Sequence, residues 1–153
     1  MVNLKNNMKI IYLLPPSEWK NPSNLFEKED LTYNFKKPYE IAISATQKDL
    51  KCIWDRFEEW INLNKNILST MTNYALKRYD WVMFKAIDYD NMSGQAREYY
   101  EENFLFLSWM YGILKPNDKI GNYKLPIETK WLYDFWKTKI TNTLNELDAD
   151  VII

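Results

Sequence analysis

The run Ile10-Ile11-Tyr12-Leu13-Leu14-Pro15-Pro16-Ser17-Glu18-Trp19-Lys20 decides how this chain is read. Its first half is β-branched, aliphatic and aromatic, which suits a buried strand. The two prolines that follow remove consecutive backbone donors and end any ladder there. The chain therefore leaves the core at Pro15 into a loop carrying a hydroxyl, a carboxylate and an amine. Ligand-contacting side chains gather in loops of this kind.

Outward from that strand, the polar, proline-punctuated segment Asn21 to Pro38 reads as irregular. Thr46 can cap a helix with Asp49 in its first turn, and Leu50, Ile53, Trp54, Phe57 and Ile61 recur at helical spacing. Lys51, Asp55, Glu58 and Glu59 take the opposite face, so the aromatic stripe is expected to face the core. Trp81 to Phe84 fits either a buried strand or a helical turn. A helix from Ser93 to Glu102, a strand over Phe104 to Leu107, a turn from Trp109 to Leu114 and a helix from Trp131 to Leu147 follow. Asp150 to Ile153 begins like another strand. The expected fold is a mixed α/β (α+β) single domain over residues 1–153.

Composition excludes several chemistries. With no histidine among 153 residues, His-dependent triads, HExxH metalloprotease sites and most zinc sites are ruled out. The lone Cys52 cannot form an internal disulfide, and its place on the apolar side of the Thr46 helix makes it a small buried hydrophobe. Neither a Walker-A nor a Rossmann glycine pattern occurs. No cofactor or metal is expected. The net charge of −1 means that any polyanion must be met by a local patch. No apolar run approaches the ~20 residues that cross a bilayer, and the amino-terminal stretch lacks a secretory pattern, so a cytoplasmic protein away from membranes is expected.

Three groups of residues carry possible chemistry. Glu18 and Lys20 can form a proton-transferring pair at a strand end or a solvated ion pair. Asp88 and Asp90 suit either a divalent cation or turn capping. Lys65, Lys77, Arg78 and Lys85, interleaved with Tyr74, Tyr79 and Trp81, make a basic and aromatic mixture that suits a phosphate backbone and stacked bases, or an ordinary solvated face.

Taken in order, these segments resemble one family. IIYLLPPSEWK is similar to the opening strand and Pro-Pro-Ser-Glu-Gly-Lys loop of the YaaA family of peroxide-stress proteins. RYDWVMFKAIDY (78–89) resembles its Arg-Tyr-x-Gly-Val-x-Tyr-x-Ala-Leu-Asp-Tyr segment. SWMYGILKPND (108–118) resembles Ser-Gly-Leu-Tyr-Gly-Val-Leu-Arg-Pro-x-Asp, and NYKL (122–125) with LYDFWKTKITNTLNE (132–146) resembles its Tyr-Arg-Leu motif and Phe-Trp helix. The resemblance implies a cytoplasmic, non-enzymatic protein that limits damage from hydrogen peroxide and free iron and binds double-stranded or structured DNA in a positive cleft. Position by position, it carries over Ser17, Glu18 and Lys20, then Lys85, Asp88 and Tyr89, then Tyr111, Lys115 and Asp118, and finally Tyr123 with Lys124. Lys20, Lys85, Lys115 and Lys124 are expected to meet phosphates, and Tyr89, Tyr111 and Tyr123 to stack or donate hydrogen bonds. Ser17, Lys20, Lys85 and Lys124 are expected around one concave surface.

The resemblance also implies a further carboxy-terminal half beyond Ile153, so that the chain reads as the amino-terminal portion of a larger fold. Trp19, Trp81 and Trp109 stand on family glycine positions, as does Trp131 in a looser alignment. Seven tryptophans against three glycines fit UGA codons read as tryptophan in place of glycine, at positions expected to have no room for an indole. Two competing readings are an enzyme using Glu18, Lys20 and Asp88, and a protein-interaction module in iron handling.

Overall fold

The computed structural model describes residues 8–27, 36–52 and 54–153. A four-stranded sheet forms its centre. Strand β1 (Ile10–Leu14) pairs in parallel with β3 (Phe104–Ser108) on one side and β6 (Val151–Ile152) on the other. Strand β4 (Gly112–Leu114) turns back antiparallel on β3. The expected turn from Trp109 to Leu114 is thus shorter, because its second half pairs with β3. A small antiparallel ribbon joins β2 (Asn73–Tyr74) to β5 (Lys119–Ile120).

The helices form where the apolar spacing has a period near 3.6 residues, with two differences from expectation. The Thr46 helix is two helices. Thr46 accepts from the Asp49 amide while the Asp49 carboxylate accepts from the Thr46 amide, a capping box that starts α2 (Gln47–Leu50). Lys51 then turns left-handed at φ 49°, ending α2 before α3 (Trp54–Lys65) begins. Ile53 lies outside the described residues, as does 28–35 of the segment read as irregular. The end of that segment is instead helical, in α1 (Lys36–Ser44), whose Ile41 and Ala42 are buried. The ambiguous Trp81 to Phe84 run resolves as helix α5 (Val82–Ile87), preceded by α4 (Ala75–Arg78). Helix α6 (Gly94–Asn103), capped by Ser93, leads into β3, and α7 (Leu132–Asn145) packs on β4.

Phe106, Leu114, Leu50, Ile120 and Leu132 are completely buried, and Trp136 of α7 joins them. The Trp136 indole donates to the Trp109 carbonyl at 2.8 Å, tying α7 to the β3–β4 turn. Cys52 is partly buried against the core. Among the described residues no helix is long and apolar enough to cross a membrane.

The tryptophans that the resemblance sets on glycine positions fall into different environments. Trp19 and Trp81 are 59% and 50% exposed and neither has a positive φ, so both indoles have room, contrary to expectation. Trp131 does meet the glycine condition, at φ 74°.

Candidate functional site

β1 and β3 run parallel, and their carboxyl ends deliver the Pro15–Lys20 loop and Ser108 to the same edge of the sheet. Ligands in open α/β sheets collect outside such strand ends. Here they border a cleft of about 410 Å³ lined by Glu18, Trp19, Lys20, Arg56, Trp60 and Lys124, with Tyr123 and Glu59 completing the wall.

Backbone contacts hold the loop. Asp80 N donates to Trp19 O at 3.0 Å, and Asn21 N to Arg78 O at 2.8 Å. Arg78 is fully buried and donates to Asn21 O and Asn24 Oδ1. Burial lowers its pKa to about 10, and its role is to fasten the loop. The opposite wall is held by buried Asn64 of α3, which accepts from Lys124 N and donates to Lys124 O, both at 2.8 Å. A side-chain amide thereby pairs with that backbone as a strand would.

Lys20 is one of the lining residues. Its Nζ donates to Ser17 O at 2.9 Å and sits 4.0 Å from the centre of the Tyr123 ring. Below it, Tyr123 Oη is 3.0 Å from Tyr79 Oη and 2.9 Å from Ser108 Oγ, a buried chain of hydroxyls. Among the described residues no carboxylate reaches Lys20 Nζ at ion-pair distance. The Tyr123 face gives an ammonium some compensation. Desolvation outweighs it and, with repulsion from Lys124, brings the Lys20 pKa down to about 7. Burial also raises Tyr123 to about 12, so that hydroxyl stays protonated at neutral pH. Lys124 Nζ donates to Glu18 O at 3.2 Å and lies 4.6 Å from the Trp60 ring centre; burial lowers its pKa.

The model of the family described as peroxide stress protein YaaA matches residues 8–153. The chain belongs to the YaaA family. A UPF0246 protein of Finegoldia magna is 33% identical over 143 residues, covering 88% of this chain and 58% of that protein. A UPF0246 protein of Aliivibrio fischeri is 30% identical over 148 residues, covering 89% of this chain and 56% of its own length. One from Malacoplasma penetrans is 31% identical over 118 residues, 65% of this chain and 48% of that protein. The chain thus spans about half the length of the curated relatives it matches.

Of the positions carried over from the YaaA family pattern, Glu18, Lys20, Tyr123 and Lys124 line one cleft. Ser17 is buried beside it, donating to Trp19 O at 2.6 Å. Tyr111 lies beneath, its hydroxyl accepting from Gly121 N and its ring edge against Tyr123. Lys85 is outside the lining residues and paired with Asp80 at 3.2 Å, close to the loop that Asp80 holds. Lys115 is exposed, and its backbone N–H donates to Asp118 at 2.7 Å. Tyr89 packs elsewhere, donating to Glu101 beneath Lys77 and Arg97. The structure therefore separates Lys115 and Tyr89 from the cleft.

Asp88 is the left-handed residue ending α5 and accepts from Asn91 Nδ2 through both oxygens, which is the turn-capping role. Lys77 pairs with Asp90. Within the basic segment Arg78 is buried and Lys77 and Lys85 pair with Asp90 and Asp80, while Lys65 is exposed. Arg56 and Trp60 of α3 line the cleft, buried Asn64 supports it through the Lys124 backbone, and the sequence reading did not include these three. Their signal is the spacing of four from Arg56 to Trp60 to Asn64, which places them along one helical face. Among the described residues no group of three or more His, Cys, Asp or Glu is placed to hold a metal ion.

Proposed function

We propose that this chain contributes to peroxide defence by binding structured DNA, with the Lys20–Lys124 cleft receiving an unpaired stretch of strand. Family membership supports the stress role. The observation that carries the nucleic-acid reading is the convergence of Lys124 and Arg56 with the Trp19 and Trp60 rings at one cleft. Cations clustered with aromatic rings suit a strand's phosphates and bases together, the bases stacking where a base displaces a cation from the ring face. Glu18 and Glu59 line the same cleft and limit its positive field, which favours a strand gripped by stacking over a rigid duplex held by charge alone. In this proposal the protein acts in the cytoplasm, restricting damage from peroxide and free iron without turnover chemistry.

Fluorescence anisotropy with a bubbled duplex tests the reading. Lys124→Ala should weaken binding and reduce the slope of log K against log[salt] by about one. Trp19→Ala should weaken binding by roughly 1–3 kcal/mol and leave that slope unchanged. Binding that is insensitive to both substitutions places the interface elsewhere.

A further inference from the structure

The geometry points to a second role for Lys20: a nucleophilic amine that captures an aldehyde by forming an imine, the aldehyde being that of a base-less sugar in a nucleic-acid strand. The choice of a strand as the aldehyde's source rests on the nucleic-acid reading of the cleft.

Several observations set Lys20 apart from the other lysines. Lys20 lines a cleft of about 410 Å³, and its Nζ is held in place by the Ser17 carbonyl and the Tyr123 ring face. Among the described residues no carboxylate lies at ion-pair distance from Lys20 Nζ, although the residue packs against buried aromatic rings. Such a setting disfavours the ammonium, and with a pKa of about 7 a large share of the amine is neutral at physiological pH. A neutral amine is the form that attacks a carbonyl, and desolvation beside another cation is a recognised way to produce it. Lys124 is that second cation. A partly neutral amine is also a weak phosphate anchor, so the phosphate contacts fall chiefly to Lys124, Arg56 lying 3.6 Å from the Glu59 carboxylate.

The step balances without a co-reactant. The Lys20 lone pair forms a C–N bond to the aldehyde carbon, and the carbonyl π electrons move to oxygen. That oxygen takes one proton from the amine and a second from a solvent acid, and leaves as water. The product is a protonated imine between Nζ and the sugar carbon. Nothing is oxidised or reduced. A sugar that has lost its base leaves a gap in a strand, and the Trp19 and Trp60 rings at the cleft can stack on the bases beside it.

The test incubates the full chain with a fluorescent oligonucleotide carrying one abasic site, adds sodium borohydride, and reads the covalent adduct on a denaturing gel. An intact oligonucleotide and free glyceraldehyde form parallel arms, and anisotropy without borohydride measures reversible binding. The expected result is an adduct with the abasic strand alone, mapped to Lys20 by peptide mass. Lys20→Arg should lower the adduct yield at least about tenfold when the yield is normalised to the bound fraction that anisotropy measures for each variant. Lys137→Arg, an exposed change on α7 away from the cleft, serves as the unaffected control. Reversible binding without an adduct, or an adduct mapped to another lysine, overturns the inference and leaves the nucleic-acid reading standing. A Lys20 adduct with glyceraldehyde but no binding of any oligonucleotide overturns the strand as the aldehyde's source, and with it the proposed function.

Discussion

Trp131 sits immediately before α7 at φ 74°, ψ −14°, where its Cβ crowds the backbone, while its indole is 61% exposed. An L-residue in the left-handed region costs about 1–2 kcal/mol, and glycine adopts it freely. The indole lies 4.7 Å from Lys130 Nζ, an exposed contact that offsets about 0.5 kcal/mol at most. Trp131→Gly is therefore expected to stabilise the chain by about 0.5–1 kcal/mol, read as a higher urea midpoint with unchanged slope. Trp81→Gly makes the contrasting case. Trp81 is at φ −124°, a conformation any residue adopts, so added unfolded-state entropy should make that change neutral or destabilising. Equal effects at both sites would remove backbone strain as the explanation. The backbone thus favours glycine at 131 and not at 81.

The β3–β4 turn and α7 depend on one another through Gly112 and Trp136. Gly112 is at φ 84°, and a Cβ there would stand 2.8 Å from Trp136 Cζ3 and 3.0 Å from Cη2. The Trp136 ring is held in that position by its hydrogen bond to Trp109 O, so it cannot retreat without losing it. Gly112→Ala should therefore combine left-handed strain with overpacking and destabilise by about 2–4 kcal/mol. Gly94 gives the control, since a Cβ there meets nothing within 4 Å. Gly94→Ala at the start of α6 should be neutral or stabilising by a few tenths of a kcal/mol. Thermal unfolding of the two variants separates them, and comparable midpoints would show that Trp136 yields. The glycine in Ser-Trp-Met-Tyr-Gly was visible in the sequence, but its partner, 24 positions further on, became evident only once α7 packed on β4.

At the scale of the whole molecule, Lys20 links protonation to folding. Its ordinary pKa of 10.5 falls to about 7 in the folded chain, so between those values the unfolded chain binds more protons. Stability should rise with pH across that window by up to ~1.4 kcal/mol per unit from this group, and the cost of charging the buried amine is fully present below pH 7. Lys20→Met should flatten the rise between pH 7 and 10 and stabilise the chain most at pH 6. Urea midpoints for both proteins across pH 6–10 check this, and parallel profiles would mean that Lys20 stays charged when folded. Much of the fold could be read beforehand. The Ile10–Leu14 strand, the Ser93 cap and the Leu132–Trp136 apolar face are local patterns whose periods depend only on neighbouring residues. The break at Lys51 and the helical outcome at Val82–Ile87 were not legible, since short apolar runs have no decisive period. The sequence by itself determined the order of the family motifs, the alternation of strands and helices, and the absence of histidine chemistry, because these follow from residue identity and spacing. Only the tertiary structure decided that Lys20 is desolvated, that Arg78 is spent holding a loop, and that Tyr89 and Lys115 lie away from the cleft. Desolvation depends on what packs around a group, and the walls around Lys20 come from Tyr79, Tyr123 and Lys124, distant in the chain and joined only by folding.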